Sequence, residues 1–244
     1  MKQRLISLIP LLISSVLAYG QHSEWSVYFS SGLFHVNSEV VVEPFYSSIN
    51  TYTLANSKKD AYVNQPWGPN SGFSYGFGME FKKVAKRKII WGVDLGFESL
   101  QSKKNIYWIN EVSVQNYVPA IGHSTMRNSY INIFPFLGYR IVCNKINIDL
   151  QGGGDMAFSP ILPHEKAEAK AIATGDVIQC NISSRDHPGS APVDFRWRVQ
   201  CAIGYKKWKL FSGYSIGLLN QEGQTAKEHS YARYFRFGIS SRIK

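Results

Sequence analysis

Negative charge is scarce in this chain of 244 residues: 17 Asp and Glu stand against 27 Lys and Arg, and only 18% of all residues are charged. A basic balance of +10 raises nucleic acid as a partner. The lysines, however, gather in expected turns (Lys82, Lys83, Lys86, Lys88; Lys206, Lys207, Lys209), which reads as solvated side chains beside anionic lipid headgroups, with no nucleic acid. Cysteine is nearly absent, and Cys143, Cys180 and Cys201 cannot all pair with one another, so they are read as unpaired and a disulfide or metal framework is not expected. Long apolar runs are missing after the first twenty residues. No helix can then span a bilayer, and a mature chain that enters a membrane must do so as a closed barrel, because every backbone polar group has to be satisfied internally.

The first twenty residues are different. Lys2 and Arg4 precede an apolar run over 5–17 and the small-residue site Ala18-Tyr19-Gly20, the pattern of a secretory signal peptide over 1–20 with one domain over 21–244. The run is short of the ~20 residues of a membrane anchor. No cysteine near the cleavage site supports lipoprotein acylation.

What the chain has in quantity is aromatics, 14 Tyr, 14 Phe and 6 Trp, set in period-two alternation. Over 193–205, Val193, Phe195, Trp197, Val199, Cys201, Ile203 and Tyr205 share one face, while Asp194, Arg196, Arg198 and Gln200 share the other. Apolar and aromatic on one side, charged on the other, suits a wall between lipid and a wet interior. Similar alternation marks strands over 25–34, 72–81, 89–100, 129–142, 146–158, 210–219 and 231–239. Pro135 predicts a bulge or bend. Gly152-Gly153-Gly154, mid-strand and followed by no helix, reads as tight curvature or close packing and not as a phosphate cradle.

Eight strands result, and the connections alternate in length. Those over 35–71, 101–128, 159–192 and 221–229 are longer; those after the second, fourth and sixth strands are short. Within the second long connection 106–118 has strand character and predicts a protruding hairpin, and within the third HEKAEAKAIA suggests a short helix. The expected fold is all-β: an eight-stranded antiparallel up-and-down transmembrane β-barrel with short periplasmic turns, long extracellular loops and both termini periplasmic.

The penultimate strand Gly213-Tyr214-Ser215-Ile216-Gly217-Leu218-Leu219-Asn220 and the closing strand over 231–243, with Phe235, Phe237 and Gly238, resemble the small outer-membrane β-barrels of the Bacteroidetes type, the PorT-like group. The resemblance implies an integral protein of the outer membrane of a Gram-negative bacterium, in contact with outer-membrane lipid and lipopolysaccharide and with the barrel-assembly machinery during insertion. The ending Ser240-Ser241-Arg242-Ile243-Lys244 departs from the terminal aromatic that many such proteins present to that machinery.

The inward faces collect Glu80, Asp94, Glu98, Asp149, Asp155 and Asp194 against Arg140, Arg196, Arg198 and Arg236. In an eight-stranded barrel side chains fill the interior, so these ten predict a cross-lumen ion-pair network that supports the wall and closes it to flow. Catalytic constellations are weak. His123-Ser124 points to opposite faces of any strand and lacks a third orienting group; His164-Glu165 and Asp186-His187 lack metal-ligand spacing. No cofactor, metal or catalytic residue is assigned. The expectation is a non-enzymatic barrel acting structurally or through its long loops on an extracellular ligand or protein, with Tyr46, Tyr52, Tyr62, Trp67 and Trp108 as aromatic anchors. A small pore, a lipid-modifying outer-membrane enzyme and a soluble lipocalin-like barrel with its aromatic face inward are the alternatives.

Overall fold

The computed structural model describes residues 20–38, 47–53, 59–63, 67–114, 116–183, 192–219 and 230–244. Among them are twelve strands and no helix: β1 (Gly20–Ser38), β2 (Ser48–Thr53), β3 (Lys59–Val63), β4 (Asn70–Ala85), β5 (Ile89–Glu111), β6 (Asn116–Cys143), β7 (Ile146–Phe158), β8 (His164–Ala171), β9 (Val177–Ser183), β10 (Val193–Tyr205), β11 (Trp208–Gly217) and β12 (Ser230–Arg242). Eight of them close a ring of antiparallel neighbours, β1-β4-β5-β6-β7-β10-β11-β12 and back to β1. The expected signal segment, Gly20 apart, lies outside the described residues.

Alternation decides what each face of the ring carries. On β10, Trp197, Val199 and Ile203 stand about half exposed on the outside, while Asp194, Arg196 and Arg198 are almost completely buried inside. The other seven ring strands repeat this facing, which overturns the lipocalin-like alternative: Phe29, Phe77, Leu95, Leu137, Leu150, Leu210 and Phe237 all point outward. Several inward glycines sit directly across from an inward aromatic ring, in the pairs Tyr28↔Gly78, Phe136↔Gly92 and Phe211↔Gly238. A Cβ at these glycines would come within 2.7, 2.7 and 2.5 Å of the facing ring. The far end of each ring therefore lies over bare backbone, filling the lumen without pushing neighbouring strands apart.

The three short turns, at Lys86 to Lys88, Asn144-Lys145 and Lys206-Lys207, share one end of the ring, and each contains a residue in the left-handed region: Lys88 (φ 64°), Asn144 (φ 56°) and Lys206 (φ 54°). Trp25 donates its backbone N–H to the Lys244 carbonyl (2.9 Å), so the described chain begins and ends near that same end.

At the opposite end the wall continues. β5 and β6 run on as one hairpin to Glu111 and Asn116, extending the protrusion expected over 106–118. β2 joins the outer half of β5 in parallel, with β3 beyond it; β8 joins the outer half of β6, with β9 beyond it. The eight-strand count is thus too low, because two of the expected loops, 35–71 and 159–192, carry strands of their own and a third, 101–128, is taken up by continuations of β5 and β6. HEKAEAKAIA is not helical: His164–Ala171 is a strand with Glu165, Ala167, Ala169 and Ala171 buried and Lys166, Glu168 and Lys170 exposed. Its alanines and lysines favour a helix in isolation, but the exposed edge of β6 supplies backbone partners along its whole length and overrides that preference. Of the bulge or bend expected at Pro135, the register shows no bulge. Register against β7 is the same before it (Ile133↔Met156) and after it (Phe136↔Gly153), and only the pairing at 134 and 135 is missing. Of the three consecutive glycines, Gly153 meets the close approach expected, its missing Cβ facing the Pro135 carbonyl, while nothing crowds Gly154.

Candidate functional site

The inside of the ring is built in layers, and each layer is set by inward positions at the same height on several strands. Nearest the short turns, Glu24 accepts from Arg140 through both carboxylate oxygens (Nη1 2.7 Å, Nη2 3.0 Å) and from Lys209 Nζ (3.0 Å). Arg140 also donates to Asp149 from Nε (2.6 Å) and Nη2 (2.8 Å), so one planar guanidinium is held by two carboxylates. Lys82 bridges Asp149 (2.7 Å) and Glu80 (3.0 Å). Above this, Arg198 lies 3.3 Å from Asp94 and 4.2 Å from the centroid of the Phe134 ring, a charge contact and a cation–π contact on one group. Higher still, Arg196 approaches Glu98 (3.0 Å), Asp155 (3.4 Å) and Asp194 (3.5 Å), and Arg236 meets Glu98 and Asp155. The Arg196 contacts are close charges without hydrogen-bond alignment.

All ten residues singled out from the sequence, Glu80, Asp94, Glu98, Arg140, Asp149, Asp155, Asp194, Arg196, Arg198 and Arg236, face this interior and are at most 7% exposed. Three further charges belong with them: Glu24 at 2%, Lys82 at 0% and Lys209 at 7%. The lysines are a correction, since the sequence places both among solvated turn residues. The signal was available, because Lys82 follows Ser74, Gly76, Gly78 and Glu80 at period two, and Lys209 precedes Phe211, Gly213 and Ser215 in the same way. The clustering of basic residues around the turns hid it. With Arg242 half-exposed at the mouth and 3.3 Å from Glu24, seven carboxylates face seven cations, which keeps the interior close to neutral.

The packing leaves little room. A cavity of about 10 Å³ between Tyr28, Asp94, Arg198 and Lys209 is about the volume of one water-sized probe. Above the upper ion pairs an apolar layer crosses the lumen, made by Phe34, Trp67, Leu100, Met126, Tyr130 and Tyr234, each at most 4% exposed. Phe34 meets Trp67 and Tyr234 edge to face. Gly68 fastens the segment beside Trp67, its carbonyl accepting from Val36 N (3.1 Å) and its N–H donating to Ser102 Oγ (3.3 Å).

Beyond that layer the extension has a separate core of Ile49, Val63, Ile106, Ile109, Ala120, Ala167, Ala169, Ala171 and Cys180. The sheet β3-β2-β5-β6-β8-β9 curls round it until β3 and β9 approach one another. Small alanines on β8 allow that tight roll. Cys143, Cys180 and Cys201 are free thiols, respectively exposed, buried and half-buried. Burial among apolar groups, with the Glu165 and Asp60 carboxylates nearby, pushes the Cys180 thiol up to about 12.

The weaker candidates do not converge. His123 is exposed while Ser124 is buried on the opposite face and donates to Glu165 (3.3 Å). His164 meets Ser183 (2.8 Å) while Glu165 turns inward. Among the described residues no cluster of His, Cys, Asp or Glu has metal-binding geometry; Asp186 and His187 lie outside them. Of the aromatic anchors, Trp67 is buried in the lumen cap, Tyr52 and Tyr62 form a ring pair on β2 and β3 (6.0 Å), and Tyr46 lies outside the described residues.

No protein-family model matches the chain, and no curated protein matches it in sequence. Among solved structures it is similar to Neisserial surface protein A (9% identity, 91% of this chain and 99% of that one, TM-score 0.40). It is also similar to Ail, the attachment invasion locus protein of Yersinia pestis, solved with a heparin analogue (10% identity, 91% and 100%, TM-score 0.34). A third similar structure is the outer membrane protease OmpT from Escherichia coli (8% identity, 90% and 97%, TM-score 0.34).

Proposed function

We propose that this protein is a non-enzymatic, integral outer-membrane β-barrel whose folded extension stands outside the cell and makes surface contacts. The observation that carries the reading is the change of polarity along one continuous wall: charges inside and apolar side chains outside over the ring, and over the extension an inside that is mainly apolar, with Lys104 and Glu165 as buried charges among it. A wall of the first kind is stable where its outside meets lipid, and one of the second kind where its outside meets water. On β10 the outward set from Phe195 to Tyr205 spans ten residue steps, and at ~3.3 Å per step with ~40° of tilt that is ~25 Å, the height of an outer-membrane apolar band. Trp25, Trp91, Tyr139, Tyr205 and Trp208 girdle the short-turn end, where interfacial aromatics belong.

The short turns then face the periplasm and the extension faces outward, with lipopolysaccharide around the outer half of the wall. The grouping with the Bacteroidetes-type, PorT-like barrels belongs to the same proposal. The filled lumen and its aromatic cap speak against the small-pore alternative. Membrane fractionation, unheated against boiled gel migration and surface proteolysis of intact cells test the reading together. Outer-membrane recovery, heat-modifiable migration and cleavage confined to the extension are expected; recovery as a soluble protein would overturn it.

A further inference from the structure

The outward face changes character where the ring passes into the extension. In register across β5, β6 and β7, Phe97, Ile131 and Phe158 form one of the last apolar rows of the ring. On the same face of β6, four residues further out, stands Arg127, and two beyond it Thr125. Strand register gathers cations round these two positions. Arg127 lies between Gln101 of β5 and His164 of β8, and Thr125 lies between Lys103 of β5 and Lys166 of β8. Lys103, Arg127 and Lys166 are all exposed.

Paired side chains on one face stand ~5 Å apart and successive ones along a strand ~6.6 Å. The three long cationic side chains can therefore converge on one group above Thr125, whose short side chain leaves that space open. Unlike the buried cations of the ring, which meet carboxylates, none of the three makes an ion pair among the described residues. Arg127 donates from Nη2 to the Gln101 side chain (3.0 Å), a neutral partner that leaves its charge uncompensated. Glu168, the one outward acid of β8, sits at the next outward pair beyond Lys166, opposite His123, and accepts from Gln179 (3.2 Å). Four residues past Ile131 is ~13 Å along the strand, or ~10 Å in height at ~40° of tilt. The cations thus stand at the level of the headgroups that cover the hydrocarbon core.

We propose that Lys103, Arg127 and Lys166 form a site for a phosphate group of lipopolysaccharide, the phosphate over Thr125 and the acyl chains against Phe97, Ile131 and Phe158 below. The proposal rests on the membrane-spanning reading above, and it assigns the site to the outer leaflet, where the extension emerges. A phosphate borne on acyl chains meets both parts of this surface at once, the cations and the apolar row beneath them. Each basic residue near an anionic lipid surface shifts occupancy by about fivefold.

The test titrates the mature protein in detergent micelles, at constant ionic strength, with bisphosphorylated lipid A and with its dephosphorylated form, and reads bound lipid by native mass spectrometry. The wild type is expected to prefer the phosphorylated form by about tenfold or more. That preference should vanish in K103Q/R127Q/K166Q and persist in K86Q/R87Q/K145Q, which removes three exposed cations from the opposite end of the ring. Heat-modifiable migration checks that each variant is folded, and R127Q alone, expected to weaken binding by about fivefold, stands in if the triple variant is not. Equal binding of both lipids by the wild type would overturn the site, as would an equal loss in both triple variants, which would mean non-specific attraction to basic protein. Displacement of lipid A by millimolar inorganic phosphate would also overturn it, because the site would then recognise free phosphate and not a lipid. No binding of either lipid, together with migration that is not heat-modifiable, would instead remove the membrane reading itself.

Discussion

The ring and its extension are made from the same strands and obey opposite rules. β5 carries Asp94 and Glu98 inward on its ring half and Ile106 and Ile109 inward on its outer half, the hairpin continuing past a register shift between Ile106 and Trp108. β6 does the same, with Arg140 below and Ala120 above. On the proposed membrane reading one backbone serves two solvents, and the side-chain pattern switches where the outside changes from hydrocarbon to water. The contrast teaches that "inside" has no fixed polarity: it holds whatever the exterior will not accept.

The largest expected effect comes from breaking the ring's interior. Arg196→Ala removes a cation that Glu98, Asp155 and Asp194 share in a buried layer and leaves Arg236 to serve Glu98 and Asp155, and removal of one partner from a buried network costs about 3–5 kcal/mol. Urea unfolding, followed by loss of the compact unheated band, measures it; wild-type stability would mean that the ion pairs are incidental. Next is Ile106→Ala in the extension core, expected to cost about 2–5 kcal/mol. Here proteolysis should open the extension while the unheated ring band persists. Loss of both together would show that the two regions unfold as one unit.

Two outward isoleucine or leucine positions sharpen the comparison. Leu95 on the ring is 53% exposed and Ile121 on the extension 72%, yet they should respond differently to arginine. Leu95→Arg is expected to destabilise by about 2–4 kcal/mol in lipid vesicles, and Ile121→Arg by no more than about 0.5 kcal/mol. Equal effects would mean that both faces meet the same solvent.

The smallest effect is chemical. Only the thiolate is nucleophilic, and Cys180 is raised to about 12, so at pH 8 iodoacetamide should modify exposed Cys143 and leave Cys180 intact. Because the shift is upward, Cys180 labelling should appear only as pH climbs towards that value, or at pH 8 once Ile106→Ala loosens the core. Prompt labelling of Cys180 in the wild type would contradict its burial.

Much of the ring was legible in the sequence, because period-two alternation is a local property and each residue needs only its neighbours' parity to be assigned a face. Ten inward charges were readable in that way, and Glu24, Lys82 and Lys209 would have followed from the same parity carried one step further towards the turns. The extension was not legible to the same degree. β2, β3, β8 and β9 are short, and what makes HEKAEAKA a strand is the edge of β6, more than forty positions away along much of its register.

The sequence by itself determined the alternation, the short turns and the sign of each face. Only the tertiary structure decided which charges meet, how the lumen is capped and where the wall turns from one polarity to the other. Those depend on ring closure and strand register, which bring β1 beside β12 and Glu24 beside Lys209, and no local pattern encodes contacts between residues so distant in the chain.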